Sequence, residues 1–298
     1  MLMFGIVITI LGAILPSVIE KSGIDKTNAG SLMLPMSFGI LLGSLVLGPI
    51  VDRFDVPFLL WLFSDYLSYE FIIAGVGLIV IFPLLFFLLL HFPDPKQAQG
   101  FPIKQGVGLL KELTLILFGV ILFFQSGIEF TVGGWAALFF KEELAIDATK
   151  AVLFLSFYWL GMVMVRLLLG YLLKILSPVN IQFSSIMIAL IGALTMLLSH
   201  NLTLSVLGLF LIGCGFAAAF PVMLGYVGDF YAKLSGTAFS IVFVMALIGG
   251  MLFPYFTGVV GQLSSLRLSF IVVPFSLCCI AILFWNILKR IAMTKSTQ

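Results

Sequence analysis

Two charged side chains, Glu129 and Arg166, lie inside long apolar runs of the sequence. A charge at the centre of a bilayer costs ~3 kcal/mol on insertion scales, so an acid within a span is by default a hypothesis for a functional site. Gln125 precedes Glu129 by four residues and shares its helical face, whereas Gly127 and Gly134 lie on the opposite face. The pattern predicts a helix with one polar face for a cavity and one small-residue face for packing.

Glu129 is open to three kinds of chemistry. Its carboxylate can bind a hydroxyl group of a polar solute, carry a coupling proton, or make a structural ion pair or backbone hydrogen bond. An ion pair with Arg166 is conceivable, because the two residues differ in depth by only ~6 Å on straight helices. For Arg166, with Gly170 one turn later, a gating or structural role at the helix ends is the favoured interpretation.

Three aromatic residues are candidates for stacking against a sugar-like ligand, because an aromatic ring offers an apolar face and a polar edge. They are Trp135, Tyr158 and Trp159, and Trp159 shares a helical face with Arg166, seven residues later. The competing interpretation is an interfacial belt, where aromatic residues near span ends are common.

The composition indicates which elements position these residues. Of the 298 residues, 62% are hydrophobic and only 9% are charged, and charge-free runs reach the ~20 residues that span a bilayer as a helix. A β-barrel would instead alternate apolar and polar residues. We therefore predict an all-α integral membrane protein embedded in the lipid bilayer. The net charge of +2 does not indicate a nucleic-acid partner, and no enzyme, metal or cofactor motif is apparent.

About nine spans are expected, one of them short or incomplete at 56–67. We predict a truncated N-terminal helical bundle at 1–91, a cytoplasmic linker at 92–112, rich in Pro, Gly and Lys, and a C-terminal six-helix bundle at 113–298. Basic residues at alternate span ends favour a cytoplasmic C-terminus and a multi-pass protein of the cell (inner) membrane.

Three segments resemble the major facilitator superfamily. Gly48-Pro-Ile-Val-Asp52-Arg53 resembles the motif loop after the second helix, with Asp55 at the second glycine position of that motif. The segments IEFTVGGWAALFF and GCGFAAAFPVMLGYVGDFYAKLSGTAFSIVFVMALIGGMLFP resemble later helices of its fucose-permease-like sugar transporters. Compared with that branch, about three helices of the N-terminal half are missing.

The resemblance implies a secondary transporter of small polar, sugar-like solutes that works by alternating access. Whether the solute is carried together with a proton is left open. The resemblance also implies solute binding by Gln125, Glu129 and Trp135, and gating or structural roles for Gly48, Asp52, Arg53, Arg166 and Gly170. Two alternatives remain open, because alternating access needs two halves. One is a truncated membrane protein that does not transport, and the other is a homo-oligomeric carrier in which another copy supplies the missing wall.

Overall fold

The structure is a computed structural model that describes residues 108–296, and every regular element in this range is helical. The predictions for Gly48, Asp52 and Arg53, for the N-terminal bundle at 1–91 and for the short span 56–67 lie outside the described residues. The same is true of nearly all of the linker, so the predicted domain boundaries remain predictions.

Six stretches are long and apolar enough to cross a membrane, which confirms the all-α membrane fold class for this part of the chain. Two of them are divided, the fourth into two helices and the sixth into a short helix and a long one. The helices are α1 (Leu113–Glu143), α2 (Ala148–Ile175), α3 (Pro178–Leu198), α4 (Leu202–Phe216), α5 (Ala219–Phe230), α6 (Ser235–Leu263), α7 (Leu266–Ser269) and α8 (Val272–Ser296).

Local sequence signals explain several helix boundaries. Ser177 caps α3 by accepting a hydrogen bond from the Asn180 amide, and Pro178 occupies the first turn. The fourth span breaks between α4 and α5 at Ala217. Pro221 accounts for the break, because a proline has no N–H to donate to the carbonyl four residues earlier and its ring crowds that carbonyl. The positions of Ser and Pro therefore set these boundaries.

Helix α1 is the central element of the bundle. It packs most extensively against α6 and also contacts α2, α5 and α8. Every residue from Gln125 to Phe140 is buried, whatever face of the helix it occupies. A helix buried on all sides must satisfy its polar side chains within the protein rather than in lipid or water.

Glycine allows the closest helix approaches. A Cβ atom at Gly249 on α6 would overlap the carbonyl oxygen of Phe123 on α1, and one at Gly213 on α4 would overlap the carbonyl oxygen of Tyr158 on α2. Gly127 packs on the ring of Phe253, so the predicted packing role of this α1 glycine is confirmed. Small residues at such crossings are the usual basis of helix association in membranes.

Arg267 links the ends of three helices at one end of the bundle: its own segment follows α6, and its partners lie at the ends of α1 and α3. Its backbone N–H and Nε donate to the Glu143 carboxylate at 3.1 and 3.3 Å. Its Nη1 donates to the carbonyl oxygens of Leu197 and Ser199 at 2.6 and 3.0 Å, and the guanidinium lies 5.3 Å from the centre of the Phe139 ring. The connections that follow α1, α3 and α6 therefore meet at this end of the bundle. Which side is cytoplasmic remains a prediction.

Replacement of Gly213 by alanine should destabilise the fold by about 1–3 kcal/mol, because the added methyl group meets backbone and cannot be accommodated by a rotamer change. Thermal unfolding in detergent would measure the loss. Gly170→Ala is the matched control, since a Cβ at Gly170 meets no atom of the described residues within 4 Å. Equal melting temperatures for the two variants would contradict this account.

Arg267→Gln should cost about 2 kcal/mol of stability, because charged hydrogen bonds to Glu143 and to two carbonyl oxygens are lost. A double-mutant cycle with Glu143→Gln, followed by thermal unfolding, should show coupling between the two side chains. Lys150→Gln, at an exposed position, should leave the melting temperature unchanged. Strictly additive effects of Arg267→Gln and Glu143→Gln would show that the two side chains do not stabilise each other.

Candidate functional site

The two charged residues inside the spans face each other across the α1–α2 contact. Arg166 Nη2 lies 3.9 Å from Glu129 Oε1, and the side chains are 35% and 10% exposed, respectively. The ion pair that the sequence left as one option is therefore present. The pair is long for a charged hydrogen bond, and the separation leaves both groups with unused bonding capacity.

Two aromatic residues of α2 lie beside this pair. Tyr158 is fully buried, and its phenol lies in the electrostatic field of both Glu129 and Arg166. Trp159 packs edge-on against Tyr158, with ring centres 4.9 Å apart. The close approach of Gly213 to the Tyr158 backbone fixes this part of α2 against α4, so the aromatic pair rests on a rigid crossing of two helices.

Five side chains in and around this cluster carry a buried polar atom that finds no hydrogen-bond partner among the described residues. Four of these atoms can donate and one is a carboxylate oxygen that accepts. They are Gln125 Nε2, Tyr158 OH, Trp159 Nε1, Arg166 Nε and Glu129 Oε2. Such atoms normally find partners when buried, and so many on two neighbouring helices indicate a place where a polar ligand can bind. We call these five residues the polar cluster.

Trp135 is placed differently from the rest of the predicted site. It is fully buried, and its indole N–H donates to the carbonyl oxygen of Pro254 on α6 at 3.1 Å. One turn away, the hydroxyl groups of Thr131 and Thr257 lie 3.4 Å apart across the same contact. Trp135 thus ties α1 to α6 at the proline inside that helix, and its role as a stacking platform remains a prediction.

The sequence did not predict these α1–α6 contacts, nor the hydrogen bonds of Arg267 to Glu143, Leu197 and Ser199. A signal existed for the first, because Pro254 leaves the Gly250 carbonyl without its usual helical donor, and polar residues near a proline in a span often compensate. For the second, Arg267 stood out as a single basic residue in a turn with few charges. Neither signal names a partner, because the partners lie more than 65 residues away.

Gly170 was predicted to have a gating or structural role together with Arg166. It lies on α2 at an exposed position, and no atom of the described residues comes within 4 Å of a Cβ built there. No close helix contact is therefore found at Gly170 within this part of the chain, and its gating or structural role stays a prediction.

The sequence matches the profile of the Major Facilitator Superfamily over residues 56–254 and again over residues 120–297. Together these matches include every residue of the polar cluster.

Curated relatives carry transporter names. A "Putative glucose/galactose transporter" of Helicobacter pylori strain J99 is 26% identical over 261 residues, which is 85% of this chain and 62% of the relative. The "Uncharacterized transporter y4wD" of Sinorhizobium fredii is 27% identical over 198 residues, 66% of this chain and 52% of the relative. The chain thus spans between half and two thirds of the length of these relatives.

The bond between Trp135 and Pro254 gives a testable consequence. Trp135→Phe removes the N–H donor and keeps an aromatic ring, so it should cost about 1 kcal/mol of stability. Trp159→Phe is the control, because its indole N–H has no partner in the described residues. Thermal unfolding in detergent should show a lower melting temperature for the first variant only, and an equal decrease in both would contradict the assigned bond.

Proposed function

Because the chain belongs to the Major Facilitator Superfamily, we propose that it transports a small polar solute of the sugar class by alternating access. In this proposal it is a secondary transporter and not an enzyme. The names of the relatives support the solute class, and the membrane-length helices supply the path through the bilayer.

The observation that carries the proposal is the polar cluster within two membrane spans. A sugar hydroxyl both donates and accepts hydrogen bonds. One hydroxyl group can therefore donate to Glu129 Oε2, while the oxygens of neighbouring hydroxyl groups accept from Gln125 and Arg166. Leaving buried polar atoms without partners costs free energy, so a ligand that supplies these partners stabilises the site when it binds.

Tyr158 and Trp159 complete the proposed site. Their two rings meet edge to face, and the Trp159 ring can pack on the apolar face of a sugar while its N–H donates to a ring substituent. In this proposal Trp135 supports the site indirectly, because its hydrogen bond to the Pro254 carbonyl oxygen holds α1 against α6. Gly48, Asp52 and Arg53 keep their proposed gating role, and a second copy of the chain as partner also stays a prediction.

Counterflow in proteoliposomes tests the proposal, with labelled glucose and galactose as the first solutes. Glu129→Gln removes the charge and keeps the shape of the side chain. It should lower the apparent affinity about 10–100-fold, because a hydrogen bond to a charged group contributes ~1.5–3 kcal/mol.

Asp229→Asn is the matched control, since it removes an acid at an exposed position at the end of α5. This variant should exchange solute like the unsubstituted protein. Equal counterflow by Glu129→Gln and Asp229→Asn would show that Glu129 does not bind the solute. A folded, unsubstituted protein that exchanges no polar solute would refute the transporter proposal itself.

A further inference from the structure

We infer that the indole N–H of Trp159 donates to the ring oxygen of a pyranose, so that the carrier selects cyclic sugars over carbocyclic polyols with the same hydroxyl groups. The inference rests on the proposed function and deepens it, because it names the solute atom that this residue recognises. From the sequence, Trp159 was a candidate for stacking only.

The polar cluster offers more hydrogen-bond donors than acceptors. Five of its buried atoms have no partner among the described residues. Three of them can only donate, namely Gln125 Nε2, Trp159 Nε1 and Arg166 Nε, and the Tyr158 hydroxyl can donate or accept. The fifth, Glu129 Oε2, is a carboxyl oxygen. The three donor-only atoms are the same whatever the charge on Glu129, so the surplus of donors does not depend on it.

Hydroxyl groups of a solute suit four of these five side chains. A buried hydroxyl group needs an acceptor for its hydrogen as well as a donor for its oxygen. Arg166 and Glu129 can serve one hydroxyl group together, because their side chains approach to 3.9 Å and present Nε as donor and Oε2 as acceptor. The Gln125 amide carries a carbonyl oxygen beside its N–H groups, and the Tyr158 hydroxyl both donates and accepts.

Trp159 is the exception in the polar cluster. Its indole group has one N–H and no hydrogen-bond acceptor, and the Tyr158 ring packs against it with the ring centres 4.9 Å apart. A solute hydroxyl group that accepted from Trp159 would have to place its own hydrogen elsewhere. In a free pyranose, the ring oxygen is the oxygen atom that carries no hydrogen. It therefore matches Trp159 Nε1 without adding a polar hydrogen that needs a partner.

Competition against counterflow of labelled glucose is the test, with unlabelled glucose and carba-glucose as the competitors. Carba-glucose keeps every hydroxyl group and has a methylene group in place of the ring oxygen. It should inhibit the unsubstituted protein about 5–100-fold less strongly than glucose, because a buried donor left without a partner weakens binding by this factor. Galactose and carba-galactose take their place if galactose is the solute that exchanges.

Trp159→Phe removes the N–H donor and keeps an aromatic ring. It should lower the apparent affinity for glucose by a similar factor and leave that for carba-glucose unchanged, so that the two competitors become equal. A residue that only supports the fold would weaken the binding of both competitors alike. A deoxyglucose that keeps the ring oxygen should stand in the same ratio to glucose in the variant and in the unsubstituted protein.

Trp285→Phe is the matched control. It removes an indole N–H from α8, where the exposed Trp285 ring has its centre 5.6 Å from Lys289 Nζ. The preference for glucose over carba-glucose should be unchanged in this variant. Size-exclusion elution in detergent establishes that each variant is folded. Trp159→Leu, which also lacks the donor, replaces Trp159→Phe if the latter does not fold.

Counterflow separates this inference from the proposed function. If the unsubstituted protein exchanges sugar but is inhibited equally by glucose and carba-glucose, the inference is overturned and the proposed function stands. If a folded Trp159→Phe keeps the preference for glucose, Trp159 is not the donor and the inference is overturned as well. If no preparation shows counterflow, the proposed function fails, and this inference with it.

Discussion

The complete burial of α1 between Gln125 and Phe140 is the constraint on which the rest of the structure depends. A helix enclosed in this way can offer its polar side chains neither to water nor to lipid headgroups, so each needs a partner on a neighbouring helix. Arg166 is the partner of Glu129 and Pro254 that of Trp135, whereas Gln125 Nε2 and Glu129 Oε2 find no hydrogen-bond partner among the described residues. These two contacts face different neighbours, α2 and α6, and they define a charged side and a structural side of the same helix.

Glycine makes this enclosure feasible. At Gly249 and Gly213 the helices approach so closely that a single methyl group would meet backbone oxygen. Packing of this kind supplies the attraction that the hydrophobic effect does not provide between helices in lipid. It also limits local movement, because a tightly packed contact does not deform gradually. The residues of the polar cluster therefore lie on tightly packed helices. The hydrogen bonds of Arg267 hold one end of the bundle together, and the close approach of Gly213 on α4 holds the Tyr158 backbone in place.

The charge arrangement within the cluster limits the mechanisms that it can support. An ionised acid paired with arginine forms a neutral unit, which costs less to keep in the span than either charge alone. The pair is long and several neighbouring polar atoms lack partners, so it is not a saturated structural salt bridge. In the proposed function, a hydroxylated ligand binds between these groups without a change in net charge.

The sequence alone determined the class of the protein and the helices themselves. Apolar runs of membrane length lead to spanning helices because the backbone has no other way to satisfy its hydrogen bonds in lipid, and caps such as Ser177 and breaks such as Pro221 act locally. The helical face shared by Gln125 and Glu129 could also be read from spacing. Only the tertiary structure decided that Arg166 pairs with Glu129, that Trp135 turns towards Pro254, and that Arg267 reaches Glu143 and Leu197. The physical reason is that the rotation of each helix about its axis is set by packing against its neighbours, and periodicity fixes positions relative to one helix only.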